Sequence, residues 1–182
     1  GALMSMVGNN LLNHIINERG IIAPDEILNQ LHKEIRKTLK QDDQTENKDG
    51  MDIAVLTFHN ETELEFAGAQ RPLWIIGSDS VLKEIKGNKF AIGGLQLEKE
   101  RTFTKHTVAL NKNSSIYIFS DGFADQFSDV DKKLMTSRFK ELLTKIQSQP
   151  MDEQKIFLNN FIDTWRGKRE QIDDILVIGI RI

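Results

Sequence analysis

The chain has 182 residues, a length typical of one globular domain with a sizeable core. Its net charge of −3, with 28% charged and 39% hydrophobic residues, provides no large basic surface, which argues against a nucleic-acid-binding protein. Cysteine is absent, which excludes disulfides, zinc–thiolate sites and thiol nucleophiles and fits a reducing cytoplasm. No apolar run approaches the roughly 18 residues of a membrane-spanning helix.

The amino-terminal part of the chain predicts two helices. Residues 3–19 carry apolar side chains at every fourth position, and Gly20 is a typical residue at a helix end. Pro24 begins a second helix, where the helix dipole favours the acidic Asp25 and Glu26 of the first turn. The buried stripe of this helix consists of Ile27, Leu31, Ile35 and Leu39. We therefore expect a helical hairpin packed on a sheet.

Residues 41–50 are polar and predict a mobile loop, which is either a solvated connector or a flap facing a substrate. Beyond this loop the pattern changes to strands. Residues 52–58 are apolar on both faces and predict a central strand. Further strands are predicted at residues 64–67, 73–76, 81–85 and 102–110. Short turns join the strands at residues 52–58, 64–67, 73–76 and 81–85, which favours an antiparallel meander.

A buried strand at residues 116–119 is followed by two helices and a last strand. An apolar stripe over residues 134–146 predicts the first of these helices. The second, residues 151–165, is expected to place inward the side chains of Ile156, Phe157, Asn160, Phe161 and Trp165. The last strand covers residues 175–182. Helices on either side of a set of strands predict an α+β fold whose helices cover the sheet faces.

Acidic side chains lie at the ends of two of these strands. Asp121 lies two residues after the strand at residues 116–119, Gly122 lets the backbone turn sharply there, and Asp125 lies just beyond. Asp173 and Asp174 precede the last strand, so the acids meet if the two strands lie side by side. An isolated Asp-Gly pair more often only starts a turn.

Two further acids, Asp49 and Asp52, lie at the start of the first strand. Carboxylates without a cysteine or histidine motif suit Mg²⁺ or Mn²⁺. Two such ions about 3.5–4 Å apart would polarise a phosphoryl group and supply hydroxide as a nucleophile. Spacing alone leaves open the alternative that these acids are only solvated.

Histidines and basic residues provide weaker signals. His14, His32, His59 and His106 have no metal-binding spacing, which predicts packing at the surface or the core edge. The short basic group formed by Arg166, Lys168 and Arg169 is either a solvated loop or a patch that steers a phosphorylated partner.

Four motifs together resemble a known family. They are residues 49–54 (DGMDIA), 66–73 (FAGAQRPL), 119–126 (FSDGFADQ) and 171–175 (QIDDI). Their order is similar to that of the metal-dependent serine/threonine phosphatases (protein phosphatase 2C-like), and most similar to the bacterial SpoIIE- and RsbU-like branch. The resemblance extends over essentially the whole chain.

This resemblance implies an αββα sandwich of two antiparallel sheets flanked by helices. It implies hydrolysis of phosphoserine or phosphothreonine by metal-bound water across two Mn²⁺ or Mg²⁺ ions. Asp121 and Asp173 match direct metal ligands, Asp125 resembles an outer acid, and Asp174 stands where asparagine is common. The implied substrate is a phosphorylated anti-sigma-factor antagonist of the STAS type, and a sensor domain is expected upstream.

The family also uses an upstream Asp-x-x-Gly-His-Gly segment whose aspartate bridges both metals, and residues 1–5 resemble the stretch that follows it. Residues 1–182 are therefore expected to be the carboxy-terminal larger part of one phosphatase domain without its first strands. Weak metal binding, little or no turnover, and self-association through an uncovered sheet edge are the further expectations. A non-catalytic pseudophosphatase that binds a phosphoprotein, and a hydrolase of small phosphates, are the alternatives.

Overall fold

The computed structural model describes residues 2–41, 49–95 and 100–182. The chain divides into two compact units. The first comprises the chain up to Leu73 together with Lys86–Leu110, and the second comprises Trp74–Ile85 and Asn111–Ile182. None of the helices in the described part of the chain combines the length and hydropathy that a bilayer crossing requires.

Two helices form the start of the first unit. Helix α1 spans Ala2–Asn13 and continues as a π-helical turn over His14–Glu18, and α2 spans Pro24–Thr38. The predicted hairpin is confirmed, because α1 contacts α2 and α2 packs on the sheet. Three residues of the predicted stripe, Ile27, Leu31 and Ile35, are buried in the core of this unit.

The strands in the described ranges are β1 Gly50–Met51, β2 Ile53–Asn60, β3 Glu63–Ala69, β4 Leu73–Ile76, β5 Leu82–Ile85, β6 Ile92–Gly93, β7 His106–Ala109, β8 Ser115–Phe119 and β9 Val177–Arg181. The pairs β1-β6, β2-β3, β3-β7, β4-β8 and β8-β9 are antiparallel. The remaining helices are α3 Gly122–Asp125, α4 Thr136–Ile146 and α5 Met151–Arg166. The α+β class with antiparallel sheets is thus confirmed.

Strand pairing differs from the predicted meander. The first unit holds the sheet β2-β3-β7 and the pair β1-β6, whereas β5-β4-β8-β9 forms a separate sheet. The meander prediction was therefore wrong at the step from β3 to β4, which lie in different sheets. The prediction of a central strand at residues 52–58 was also wrong, because β3 is central and β2 lies at an edge of the described sheet with partly exposed side chains.

The second unit has its own core, built around the fully buried aromatic side chains of Trp74, Tyr117, Phe123 and Phe139. Helix α5 packs on this core with Gln154, Leu158 and Ile162 buried. The inward face predicted for α5 was partly wrong: Phe157, Phe161 and Trp165 pack at the core margin, but Ile156 is 59% exposed and Asn160 is also exposed. Residues 42–48 of the predicted polar loop lie outside the described residues.

Candidate active site

Strand β8 carries Asp121 to the end of the four-stranded sheet. The strand lies between β4 and β9, and Ser115, Ile116 and Tyr117 are fully or almost fully buried. Asp121 follows this strand as the first residue of the turn into α3, where its carbonyl accepts a hydrogen bond from the amide of Asp125 at 2.9 Å. A buried central strand therefore determines where the Asp121 backbone lies.

The two strands that precede and follow the predicted acids are direct neighbours. Strands β8 and β9 pair antiparallel, with Phe119 opposite Val177. The end of β8 and the start of β9 therefore lie at the same end of the sheet. The structure therefore confirms that these two strands lie side by side, which was the condition for the acids to meet.

A serine hydroxyl, missed by sequence reasoning, joins the two loops. The Ser120 hydroxyl donates to the Asp174 carbonyl at 2.6 Å and accepts from the Leu176 amide at 2.9 Å. The Ser120 amide also donates to the Leu176 carbonyl at 3.0 Å. Its position next to Asp121 in the sequence was the available signal, because a strand-end hydroxyl can bond to a neighbouring backbone.

Gly122 brings the two loops into van der Waals contact. A Cβ atom at this position would lie 2.5 Å from the Asp174 carbonyl oxygen and 3.2 Å from that of Asp173. Gly122 has no positive φ, so the predicted sharp turn is not the reason for a glycine here. The reason is the close approach of the Asp173–Asp174 backbone, which leaves no space for a side chain.

Asp173 and Asp174 are both exposed. The Asp173 carboxylate accepts a hydrogen bond through Oδ1 from the Asp174 amide at 2.7 Å, and its carbonyl accepts one from the Gln171 side chain at 2.8 Å. Asp125 lies at the end of α3, where its Oδ1 forms an ion pair with Lys133 Nζ at 3.0 Å. A cation at Asp125 would therefore compete with a bound lysine.

The other predicted acids lie in the first unit. Asp52 forms an ion pair with Arg71 at 2.8 Å, and Asp49 accepts a hydrogen bond from Gln41 through its carbonyl at 2.8 Å. Of the histidines, His32 is buried and accepts from the Gly93 amide at 3.0 Å, which confirms packing at the core for this residue.

The basic group after α5 is partly ion-paired. Arg166 pairs with Asp163 at 2.9 Å, and Arg169 pairs with Asp131. Residues 167–170 are exposed. These pairs agree with a solvated loop, and a role in attracting a phosphorylated partner stays a prediction.

The predicted ligands Asp121 and Asp173 are of a residue type that suits a hard cation. Asp121 and Asp173 bring carboxylates, the ligands preferred by Mg²⁺ and Mn²⁺, on two loops whose backbones touch. Across residues 2–41, 49–95 and 100–182, no three histidine, cysteine, aspartate or glutamate side chains group closely enough to hold a metal ion. The loops thus fit a hard cation as part of a larger donor set.

A family model described as stage II sporulation protein E (SpoIIE) matches residues 1–182. The chain belongs to the SpoIIE family. This membership confirms the resemblance seen in the four sequence motifs. A search of curated proteins found no match for this SpoIIE-family chain.

Solved phosphatase domains share the fold of this SpoIIE-family chain. The SiaA-PP2C domain of Pseudomonas aeruginosa is 27% identical with a TM-score of 0.86, over 100% of this chain and 70% of that one. The phosphatase domain of SpoIIE from Bacillus subtilis is 16% identical with a TM-score of 0.56, over 96% and 73% of the two chains. The catalytic domain of the serine/threonine phosphatase PstP, solved in complex with two manganese ions, is 14% identical with a TM-score of 0.61, over 98% and 80%. The fold of this SpoIIE-family chain is therefore that of PP2C-type phosphatase domains.

Proposed function

We propose that this chain carries part of the metal-dependent active site of a phosphatase that hydrolyses phosphoserine or phosphothreonine on a protein. The observation that most supports this proposal is the contact between the two acid-bearing loops. At Gly122 their backbones lie so close that a Cβ atom would be only 2.5 Å from the Asp174 carbonyl oxygen. Asp121 and Asp173 would be direct ligands of Mn²⁺ or Mg²⁺, and Asp125 an outer acid.

Bound Mn²⁺ or Mg²⁺ supplies positive charge that stabilises the phosphoryl oxygens and activates water. The role of this chain is to hold the ligands in place. Ser120 and Gly122 keep the loop of Asp173 against the end of β8. Lys133 neutralises part of the charge of Asp125, which reduces its value as a cation ligand.

The proposed substrate is a phosphorylated STAS-type anti-sigma-factor antagonist, with an upstream sensor domain controlling the reaction in the cytoplasm. Membership of the SpoIIE family supports this substrate class. Rates on a phosphopeptide and on a nucleotide separate it from a hydrolase of small phosphates, since a protein phosphatase would prefer the phosphopeptide.

The first test is Mn²⁺-dependent hydrolysis of p-nitrophenyl phosphate by a chain extended upstream, with and without Asp121→Asn. Loss of turnover in the variant is expected, because the substitution removes a charged ligand. Asp125→Asn provides the comparison: its ion pair with Lys133 is half-exposed, so we expect a smaller effect, within about fivefold.

This chain alone should bind Mn²⁺ weakly, with a Kd above about 10 μM, because its described acids do not form a complete donor set. Titration calorimetry measures this directly. A Kd well below that value would contradict the proposal of a partial site.

The alternative is a pseudophosphatase that binds a phosphoprotein without cleaving it. The absence of a three-ligand group among the described residues is the observation in its favour. A folded, upstream-extended chain with no turnover in Mn²⁺, but with retained affinity for a phosphoprotein, would favour this alternative.

A further inference from the structure

We propose that Gln126 is a positioning residue that holds the loop carrying Asp173 in its ligand-presenting conformation. This inference rests on the proposed function, because it assigns Gln126 a role in the same site. Gln126 directly follows α3 and is completely buried.

The side-chain amide of Gln126 bonds to the backbone that leads into Asp173. Its Nε2 donates to the Glu170 carbonyl at 3.1 Å, and its Oε1 faces the Ile172 amide at 3.4 Å. The same Nε2 donates to the Phe127 carbonyl at 3.1 Å. Glutamine suits this position because one side chain provides both donor and acceptor.

The Gln126 backbone is itself held in place. Its carbonyl accepts from the Leu134 amide at 3.0 Å and from Trp165 Nε1 at 3.1 Å, and its amide donates to the Gly122 carbonyl at 3.1 Å. These hydrogen bonds fix the backbone position from which the Gln126 side chain extends to the loop. A side chain anchored in this way can fix the position of the loop that it contacts.

Burial of side chains cannot fix the position of the loop that carries Asp173. Residues 167–174 are all exposed, and Ile172 is 54% exposed. Hydrogen bonds therefore define its path: Gln126 holds residues 170–172 before Asp173, while Ser120 holds Asp174 and Leu176 after it. Removing the Gln126 amide leaves the backbone before Asp173 with only the exposed Arg169–Asp131 ion pair and the local hydrogen bond from the Gln171 side chain.

Gln154 provides a matched control. It is also a buried glutamine of the second unit, accepts from the Tyr117 hydroxyl at 2.6 Å, and donates to the carbonyls of Gln147 and Gln149 at 3.2 and 2.9 Å. Gln126→Leu and Gln154→Leu each remove a buried amide that serves two carbonyls, so both should lower the thermal midpoint.

The decisive measurement is amide hydrogen exchange of residues 170–176 in the metal-free protein, compared at equal distance below each variant's midpoint. Gln126→Leu should speed exchange there by about tenfold, whereas Gln154→Leu should leave it within about twofold. Gln126→Met, which keeps the approximate shape of the side chain and loses both polar groups, should speed exchange to a similar extent and serves if the leucine variant does not fold. Unchanged exchange at 170–176 in Gln126→Leu and Gln126→Met would overturn the inference.

The second measurement is Mn²⁺ affinity of the upstream-extended chain. Gln126→Leu should weaken it by about 10- to 100-fold, the range typical of residues that orient a ligand, while Gln154→Leu should not. If Asp121→Asn abolishes binding but Gln126→Leu leaves it unchanged, the positioning role is wrong and the proposed function stands. If Asp121→Asn leaves Mn²⁺ affinity unchanged, the proposed function itself fails, and the metal role of Gln126 with it.

Discussion

At the end of the four-stranded sheet, close contact between two backbone segments leaves room only for glycine at position 122. Gly122 faces the carbonyls of Asp173 and Asp174, which belong to a neighbouring loop and cannot move without breaking the Ser120 hydrogen bonds. Gly8, in helix α1, has a different environment, because a Cβ there would meet only the flexible end of the Met51 side chain at 3.2 Å.

Gly122→Ala should lower the free energy of unfolding by about 1–3 kcal/mol and weaken Mn²⁺ binding, because the added methyl group separates the two loops. Gly8→Ala should change stability by less than about 1 kcal/mol, with helix propensity favouring alanine. Urea denaturation of both variants measures the difference. Equal stability and equal Mn²⁺ affinity in Gly122→Ala and wild type would show that the loops separate at no cost.

At the scale of elements, an ion-pair group connects the three strands β2, β3 and β7 at their surface. Glu65 in β3 contacts His59 in β2 at 3.3 Å and Lys105, just before β7, at 2.8 Å. The hydrogen bond from Lys105 lowers the pKa of the Glu65 carboxyl below 4.5, against the opposing effect of burial, with smaller help from His59. A carboxyl with a lowered pKa stabilises the fold above its unfolded pKa, and this contribution is lost as the pH falls through the folded pKa.

Glu65→Gln should therefore lower stability at pH 7 and flatten the loss of stability as the pH falls below about 4.5. Urea midpoints measured from pH 7 to pH 3 test this expectation. Glu61→Gln, the same change in the turn between β2 and β3, serves as the control. A pH profile of Glu65→Gln parallel to that of wild type would contradict the proposed linkage.

At the scale of the whole molecule, strand β9 is the end of the sheet order β5-β4-β8-β9 in the described residues. The Ser120 amide donates to the Leu176 carbonyl, and the Ile182 amide donates to the Ser114 carbonyl. Because every second residue of an antiparallel strand bonds to the same neighbour, Val177, Gly179 and Arg181 direct their backbone N–H and C=O groups away from β8. The apolar side chains of Leu176 and Ile178 are 56% and 40% exposed along this edge. An apolar edge strand is a template for pairing with another chain.

We therefore expect concentration-dependent self-association through β9. Static light scattering over a concentration series should give a rising mass for the wild type and a smaller rise for Ile178→Lys, because an edge lysine opposes strand pairing. Val130→Lys adds the same charge at a position that is 76% exposed outside any strand, and should behave as the wild type. A monomer at the highest concentration would refute this expectation.

Local patterns were sufficient for most elements. Helices α1, α2, α4 and α5 and the strands around residues 64–67, 73–76 and 116–119 were predicted, because periodicity, prolines and glycines act within a few residues of the chain. The acids at the ends of two strands, and the order of four motifs, were also sufficient to predict the family. The expectation that residues 1–182 form part of one phosphatase domain stays a prediction.

The tertiary structure alone decided which strands pair and which groups meet. Strands β3 and β4 are close in sequence but belong to different sheets, and β2 is apolar on both faces yet lies at an edge. The contact of Gly122 with Asp174, the Ser120 bridge and the Gln126 amide join segments about 45 to 55 residues apart. Such contacts depend on long-range packing, which leaves no periodic signal in the sequence, and so the acids were predicted from sequence while the groups that position them were found only in the folded chain.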